Sequence, residues 1–434
     1  MRIALISEHA SPLAPLGGVD SGGQNVYVAQ LACGLTRLGH RVSVFTRRDD
    51  ESLPETLVAP DGYRVIHVPA GPPRPMPKED LLPYMEAFSD YITRRLAFDP
   101  VDVVHANFFM SGLAAMQAKR VLGIPFVMTF HALARVRLLH QAAADRFPPE
   151  RLAIEDRIMV EADRIIAECP QDAEDQISLY GADQRKIRLA PCGYDPDELY
   201  RIGKTVARRE LGLDRATPLV LQLGRLVPRK GVDNAIRGFA RAIRNHGLTA
   251  RMMIVGGESE RADATATPEI GRLQQVAREE GVLSRVTFAG RADRSRLKYY
   301  YSAANVFVTT PWYEPFGITP LEAMACGTPV IGSNVGGIKF SVQHNLTGLL
   351  VPPHDPEALG DGIATLLRQP DLARQLGQQA QRRVEARFTW QRVTGMVAQV
   401  YQQVVEARTI RPTPRVAAAS YSSPLSTAAA LQSN

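Results

Sequence analysis

Cysteine is scarce in this chain. Four residues, Cys33, Cys169, Cys192 and Cys326, are spread over 434 positions. They form no C-x-x-C pair and have no histidine at ligand spacing, so the sequence indicates neither a zinc site nor a disulfide framework. Long apolar runs are also missing, since no segment approaches the roughly 20 residues of a membrane span. These absences predict a cytoplasmic protein without an integral membrane segment and with at most weak peripheral membrane contact.

Aromatic residues are few, at 7%, and they do not interleave with basic residues as in nucleic-acid-binding modules. The formal charge of +6 favours anionic partners, but phosphorylated small molecules satisfy it as well as nucleic acid does. We therefore expect no nucleic-acid partner. The G-x-x-x-x-G-K-[ST] motif is absent, and no G-x-G-x-x-G follows either predicted first strand, which argues against kinases and dinucleotide oxidoreductases.

The chain does contain two series of short apolar runs that alternate with amphipathic stretches. In the first series, strands are predicted at residues 3–6, 42–45, 101–104 and 126–130, with a helix at residues 23–38. In the second, strands are predicted at residues 219–223, 252–255, 286–289, 306–309 and 330–331. This alternation is typical of parallel sheets covered by helices on both faces. The predicted fold class is therefore α/β, with two doubly wound Rossmann-like domains facing across a cleft.

The predicted domain boundary lies where this alternation weakens, between about residues 192 and 213. We place an N-terminal domain at residues 1–195 and a C-terminal domain at residues 196–385. Residues 386–410 are predicted to form a helix that packs back on the N-terminal domain. Residues 411–434 are rich in Pro, Ala and Ser, and we predict a disordered tail there.

In each series, one motif lies between the first predicted strand and the helix after it, the region where doubly wound sheets bind their ligands. Gly22 and Gly23, in the segment D-S-G-G-Q-N, begin a predicted helix whose N–H groups suit an anion. A plain turn before a helix explains this pair equally well. Arg225 and Lys230, in the segment G-R-L-V-P-R-K-G, suit a diphosphate. A solvated basic loop is the alternative.

Two further motifs follow later strands. Glu314 and Glu322, in E-P-F-G-I-T-P-L-E, are eight positions apart and lie on nearly one face if the whole segment is helical. Carboxylates accept hydrogen bonds from sugar hydroxyls, and free N–H groups near Gly317 suit oxygen atoms. His131 follows the strand predicted at residues 126–130, and His105 ends the one predicted at residues 101–104. A lone histidine in such a position is more often structural than catalytic.

Together, these segments resemble the retaining glycosyltransferases of the GT-B fold, in particular the group that includes sucrose-phosphate synthase, mannosylfructose-phosphate synthase and the mycothiol glycosyltransferase. The resemblance spans about residues 1–405, and the two glutamates with A-C-G-T-P-V-I and G-G after them are its most specific part. It implies transfer of a hexose from a nucleotide diphosphate sugar, with UDP-glucose favoured, to a small sugar or polyol that is phosphorylated or free. It also implies that neither a metal nor a cofactor is required. We expect a monomer or a homodimer.

The resemblance also implies roles for residues on the donor side. Arg225 and Lys230 would hold the diphosphate, Glu322 the ribose, and Glu314 the donor sugar, while His131 would face the transferred sugar. The implied catalytic residues are His131, Arg225, Lys230 and Glu314, and the implied donor-binding residues are Gly22, Gly23, Arg225, Lys230, Arg291, Glu314, Phe316, Gly317, Leu321 and Glu322.

On the acceptor side, Lys78 and Arg151 match positions that hold an acceptor phosphate in the family, and Asn25 matches a residue that contacts acceptor hydroxyls. Two positions depart from the pattern. Phe108 and Ala132 stand where the enzymes that use inositol phosphate tend to carry Tyr and Thr, so two hydroxyl groups are missing there.

The arrangement of Arg225, Lys230 and Gly23 leads us to the hypothesis of a front-face substitution in which the leaving phosphate helps to take the acceptor proton. A covalent double displacement would need a second carboxylate about 5 Å from the first, and the sequence offers no obvious candidate. Asp195 and Asp197 form the nearest approach to a D-x-D metal motif, and a turn explains them better. Two alternatives stay open at this point: a nucleotide-sugar epimerase or hydrolase on the same fold, and a non-catalytic nucleotide-sugar binding protein.

Overall fold

The computed structural model describes residues 1–14, 22–142 and 145–410. Two parts of the sequence interpreted above lie outside these ranges: Asp20 and Ser21 of the D-S-G-G-Q-N segment, and the predicted tail at residues 411–434. In the described part, the chain forms two β-sheets, each covered by helices.

The N-terminal sheet has eight strands in the order β3-β4-β2-β1-β5-β6-β7-β8. All neighbours pair in parallel except β3 and β4, which are antiparallel at the edge. The strands are β1 (Arg2–Ile6), β2 (Arg41–Arg47), β3 (Thr56–Val58), β4 (Arg64–Val68), β5 (Val103–Asn107), β6 (Phe126–Thr129), β7 (Arg164–Ala167) and β8 (Ile187–Leu189).

The C-terminal sheet has six parallel strands in the order β11-β10-β9-β12-β13-β14. Every residue of β9 and of β12 is buried, as expected for central strands that have helices on both faces. The strands are β9 (Leu219–Leu223), β10 (Arg251–Val255), β11 (Val286–Gly290), β12 (Val306–Thr309), β13 (Val330–Ser333) and β14 (Gly348–Val351).

The helices connect the strands and cover both faces of each sheet. They are α1 (Gly23–Arg37), α2 (Met85–Phe98), α3 (Phe109–Leu122), α4 (Ala134–Gln141), α5 (Glu150–Glu161), α6 (Pro170–Tyr180), α7 (Lys204–Glu210), α8 (Val232–His246), α9 (Pro268–Glu279), α10 (Leu297–Ala303), α11 (Ile318–Ala325), α12 (Gly336–Ser341), α13 (Pro356–Arg368), α14 (Pro370–Arg387) and α15 (Trp390–Ile410). The predicted fold class is confirmed: two doubly wound α/β units follow one another along the chain.

One predicted strand is displaced. Residues 101–104 were expected to form the strand that became β5, but β5 runs from Val103 to Asn107. Asp102 pairs with the backbone of Arg2 instead, since its carboxylate accepts from the Arg2 N–H at 2.6 Å. His105 therefore lies in the middle of β5, fully buried, rather than at its end. Burial lowers its pKa to about 3, with a further contribution from His131, so His105 is a neutral core residue.

Helix α1 buries one face against the sheet and against α15. Tyr27 and Leu31 are fully buried, whereas Leu38 is 52% exposed. Leu38 lies beyond the last helical residue, and Gly39 follows with φ of +82°, which turns the chain away from the core.

The last two helices belong to different units. Helix α14 packs on α11 and α13 of the C-terminal unit, whereas α15 packs on α1 and β5. Between them, Trp390 N donates to Tyr194 O at 3.0 Å, and Tyr194 N donates to Phe388 O at 2.9 Å. Tyr401 on α15 completes the contact through a 2.6 Å hydrogen bond between its hydroxyl and His105 Nδ1. The chain thus returns to the N-terminal unit beside the segment that left it.

Among the described helices, none combines the length and the apolar character that crossing a membrane requires.

We predict that Gly34→Ala destabilises the protein. A Cβ at Gly34 would lie 2.3 Å from Thr394 Oγ1 on α15, and such overpacking costs about 1–3 kcal/mol. Gly395→Ala is the matched control, because it lies in the middle of α15 and a Cβ there meets nothing within 4 Å. Alanine is preferred to glycine in helices by about 1 kcal/mol. Thermal unfolding should give a lower Tm for Gly34→Ala and an equal or higher one for Gly395→Ala; the opposite order would refute the packing assigned to these helices.

Candidate active site

A cavity of about 500 Å³ lies between the two units, where the carboxyl ends of strands from both sheets face each other. Its volume is in the range of small-molecule sites. Most of the residues predicted from the sequence line it: Gly22, Gly23, Asn25, Lys78, His131, Arg225, Lys230, Arg291, Glu314, Phe316, Gly317 and Glu322. Leu321 and Arg151 do not.

Lys230 and Glu314 form an ion pair at the centre of the C-terminal wall. Lys230 closes the loop after β9, and Glu314 lies in the loop after β12. Burial lowers the pKa of Lys230 to about 8, against the opposing effect of Glu314. Burial by itself would raise the pKa of Glu314. The positive charges of Lys230 and Arg229 have the larger combined effect and hold that pKa below its ordinary value. Near neutral pH both groups are charged.

Glycines allow the two loops to approach each other. Gly231 has φ of +61°, and a Cβ there would lie 2.0 Å from Thr310 O. Gly336 has φ of +41°, and a Cβ there would lie 1.9 Å from Glu314 O, while Gly337 donates to the same oxygen at 3.1 Å. Because a larger residue would displace the Glu314 backbone, the G-G pair holds this loop in place.

Helix α11 begins at Ile318, so Glu314 lies in the loop that precedes it. Glu314 and Glu322 would share a helical face only if the whole segment were helical, and the structure shows that it is not. Gly317 caps the helix with φ of +92° and no side-chain hydrogen bond. The first N–H groups of α11 and the positive end of its dipole are therefore directed towards the cavity wall.

Glu322 lies on α11, buried beneath the cavity floor with 4% exposure. It accepts a 2.7 Å hydrogen bond from the Tyr301 hydroxyl, and Arg294 Nη1 lies 3.8 Å from its other oxygen. Burial raises the pKa of Glu322, with Arg294 acting in the opposite direction. The neighbouring Leu321 is fully buried in the hydrophobic core, so its side chain does not reach the cavity.

The two units come into contact beside the cavity at Gly22, which belongs to the N-terminal unit. A Cβ on Gly22 would lie 2.9 Å from Arg225 Nε, so the backbone of one unit lies directly against the guanidinium of the other. Asn25 fixes this turn, because its Oδ1 accepts from Gly22 N and its Nδ2 donates to Ser11 O, both at 2.9 Å. The amide of Asn25 is therefore already engaged within the protein, and its predicted contact with acceptor hydroxyls stays a prediction.

His131 is held in a strained conformation at the cavity edge. Its φ is +58°, which is uncommon for a residue with a side chain and recurs at functional sites. Its Nδ1 lies 3.1 Å from Glu168 Oε1, and its Nε2 lies 3.0 Å from Asn107 Oδ1. The Tyr27 ring packs edge-on against it at 4.8 Å. The imidazole is thus fixed in orientation from three sides.

The acceptor side departs from expectation at Arg151. The residue is 1% exposed. Its guanidinium donates hydrogen bonds to Glu155 at 2.7 Å and to Ala132 O at 2.6 Å. It also lies within 5 Å of the centres of three phenylalanine rings. Phe108, which has φ of +79°, supplies one of these rings and lies between Arg151 and the cavity. Lys78 does line the cavity, with Glu79 at 3.5 Å.

Several functional candidates could not be found from the sequence. Arg229 lies 4.0 Å from Glu314, and its buried Nη1 has no hydrogen-bond partner among the described residues. Asn107 and Glu168 contact His131 from the ends of other strands. The only sequence signal for them is a polar residue at the end of an apolar run, which is weak without a known sheet order.

The described residues contain no group of three or more His, Cys, Asp or Glu side chains that could hold a metal ion. All four cysteines are free and buried.

The site and the fold can be compared with known proteins. The family described as "Glycosyl transferases group 1" matches residues 203–383, and "Glycosyltransferase Family 4" matches residues 21–198. The D-inositol 3-phosphate glycosyltransferase of Acidothermus cellulolyticus is 37% identical over 424 residues, covering 96% of this chain and 93% of the relative. Its counterpart in Xylanimonas cellulosilytica is 34% identical over 420 residues, covering 94% and 98%.

Among solved structures, sucrose-phosphate synthase from Thermosynechococcus elongatus is similar with a TM-score of 0.86 and 35% identity, covering 94% of this chain and 99% of that one. The predicted resemblance is confirmed, and the chain belongs to the group 1 glycosyltransferases and is a glycosyltransferase of the GT-B fold.

Proposed function

We propose that this glycosyltransferase transfers a hexose, with retention of configuration and without a metal ion, from a nucleotide diphosphate sugar to a small phosphorylated sugar or polyol. UDP-glucose is the favoured donor. The observation that carries the proposal is the convergence of Arg225, Lys230 and Glu314 on one cavity wall, opposite Gly22 and His131.

The positive charge of this wall suits a departing diphosphate. Arg225, Arg229 and Lys230 all line the cavity, and Glu314 is the carboxylate among them. The uncapped start of α11 adds N–H donors nearby. Fixed cations and dipoles stabilise charge as it develops on the leaving group, and this is usually the largest catalytic contribution. These side chains could therefore supply the neutralisation that a divalent metal supplies elsewhere.

The state of the cavity's carboxylates favours a front-face substitution over a double displacement as the route to retention. Four glutamates line it, and each is already engaged: Glu314 by Lys230, Glu322 by Arg294, Glu79 by Lys78 and Glu168 by His131. A double displacement needs one carboxylate ready to attack the anomeric carbon. In the proposed front-face step, the bond between C1 and the phosphate oxygen breaks, the acceptor oxygen bonds C1 from the same face, and its proton passes to the leaving phosphate.

An anionic acceptor is supported by an excess of positive charge on the N-terminal part of the wall, where Lys78 and Arg146 share the carboxylate of Glu79 and Arg137 is paired with Asp145. Two relatives are named for D-inositol 3-phosphate. In this chain Arg151 is covered by Phe108, so we assign the phosphate contact to Lys78. The missing hydroxyls at Phe108 and Ala132 favour an acceptor other than inositol phosphate.

The reaction itself is tested with purified protein, UDP-glucose and a panel of phosphorylated sugars and polyols. We expect release of UDP that depends on the acceptor and a product whose anomeric configuration, read from the NMR coupling of its anomeric proton, equals that of the donor. Turnover should persist in EDTA. An inverted product or loss of turnover in EDTA would contradict retention or metal independence, respectively.

Lys230→Ala should lower kcat/KM for the donor about 100-fold, a loss typical when one charge-stabilising group is removed. Lys186→Ala, which removes a lysine that does not line the cavity, should leave kcat/KM unchanged. If both variants behave alike, Lys230 does not contact the diphosphate.

The same residue sets a pH dependence. The pKa of Lys230 is lowered to about 8, so it is charged below that pH and loses its proton above it. Because kcat/KM reports groups of the free enzyme, kcat/KM should fall as pH rises through about 8. In Lys230→Arg, whose guanidinium stays charged, this alkaline decline should disappear; its persistence would assign the decline to another group.

Lys78→Ala should raise KM for a phosphorylated acceptor about tenfold, as expected for loss of one charged hydrogen bond. KM for the unphosphorylated form should not change. Equal wild-type rates with the phosphorylated and free forms of the same acceptor would exclude a phosphate requirement.

A further inference from the structure

Gln222 is a buried polar residue in an otherwise apolar strand. It lies on β9, whose other residues are Leu219, Val220, Leu221 and Leu223. This strand is in the interior of the C-terminal sheet, between β10 and β12. The side chain is 4% exposed. A glutamine at such a position needs an explanation, because core strands of parallel sheets are normally apolar throughout.

The neighbours of Gln222 do not satisfy its amide. Ile254 lies beside it on β10, and the register of β12 places Val308 on the other side; both are buried and apolar. Gln222 Oε1 is buried and has no hydrogen-bond partner among the described residues. An unpaired buried carbonyl destabilises the folded state, so an apolar residue of similar size would serve the core better.

Gln222 also lines the active-site cavity, together with Arg225, Lys230 and Glu322. The floor beside it is bare backbone. Gly224 and Gly256 pack so closely that a Cβ on Gly256 would lie 2.1 Å from Gly224 O. Backbone rather than side chains therefore forms the cavity lining at Gly224 and Gly256.

We propose that Gln222 binds the donor substrate, with its amide carbonyl accepting a hydrogen bond from a hydroxyl or N–H group of the nucleotide sugar. This inference rests on the function proposed above. The ionised diphosphate offers only acceptor oxygens and cannot donate to a carbonyl. The partner is therefore a donor group of the nucleoside or a hydroxyl of the hexose, and the bound substrate satisfies a group that the protein leaves unpaired.

The test is Gln222→Met, which keeps an unbranched side chain of similar length and removes the amide. First, calorimetric titration of the wild type with UDP, GDP and ADP identifies the nucleotide. The variant is then titrated with that nucleotide and with its glucose conjugate. We expect Kd to rise about tenfold, the effect of one lost hydrogen bond to a buried group. The Tm of the ligand-free variant should rise by about 2–4 °C, because the unpaired carbonyl is gone.

Ser333→Ala is the matched control. Ser333 ends β13 in the same sheet, is fully buried, and its Oγ also lacks a partner among the described residues. It does not line the active-site cavity. Its substitution should change Tm without changing Kd, which separates contact with the ligand from a general effect of removing a buried polar group.

The two ligands distinguish the two parts of the substrate. Weaker binding of both the nucleotide and its glucose conjugate by Gln222→Met assigns the contact to the nucleoside, and weaker binding of the conjugate alone assigns it to the hexose. Unchanged Kd for both overturns the inference. A lower Tm with unchanged Kd also overturns it, since the amide would then be satisfied inside the protein, for example by a water molecule. If the wild type binds none of the three nucleotides, the proposed function fails as well.

Discussion

The ion pair between Lys230 and Glu314 is the interaction on which the rest of the site depends. It joins the loops that leave two adjacent central strands, β9 and β12, and it is possible only because Gly231 and Gly336 let backbone pass where a side chain would clash. Each partner keeps the other charged despite burial, because either one alone would be costly to bury in its ionised form. The protein thus maintains a dense group of charges at the cavity wall before any substrate arrives.

The N-terminal unit contributes rigidity in addition to its basic residues. His131 and Phe108 both have positive φ, and both lie at the cavity edge at the ends of neighbouring strands. Such conformations persist only where the surroundings impose them. Here the imposing contacts are Glu168 and Asn107 on His131, and Arg151 beneath the Phe108 ring. Two residues with strained backbone conformations, His131 and Phe108, thus lie on the N-terminal side of the cavity, and the ion pair of Lys230 and Glu314 lies on the C-terminal side.

Much of the fold could be predicted because its strands are continuous apolar runs. The strands predicted at residues 219–223 and 306–309 match β9 and β12, whose burial on both faces leaves a strong signal. The start of β5 was misplaced because Asp102 bonds Arg2, a contact 100 residues away in sequence. Glu314 and Glu322 do not share a helical face, because the helix begins only after the glycine N-cap at Gly317. Arg151 was expected in the binding site, yet the rings of the adjacent Phe108 and Phe109 and of Phe147 surround its guanidinium, and the sequence pattern does not predict this contact.

The polypeptide passes between the two units twice, once on leaving β8 and again between α14 and α15, and the two passages are hydrogen-bonded side by side at Tyr194 and Trp390. A pair of adjacent connections acts mechanically as a single pivot. Movement of one unit relative to the other then amounts to rotation about that point, with the displacement growing with distance from it. Gly22 and Arg225, which touch across the opening, would separate in such a rotation, and their separation would open the cavity to a substrate.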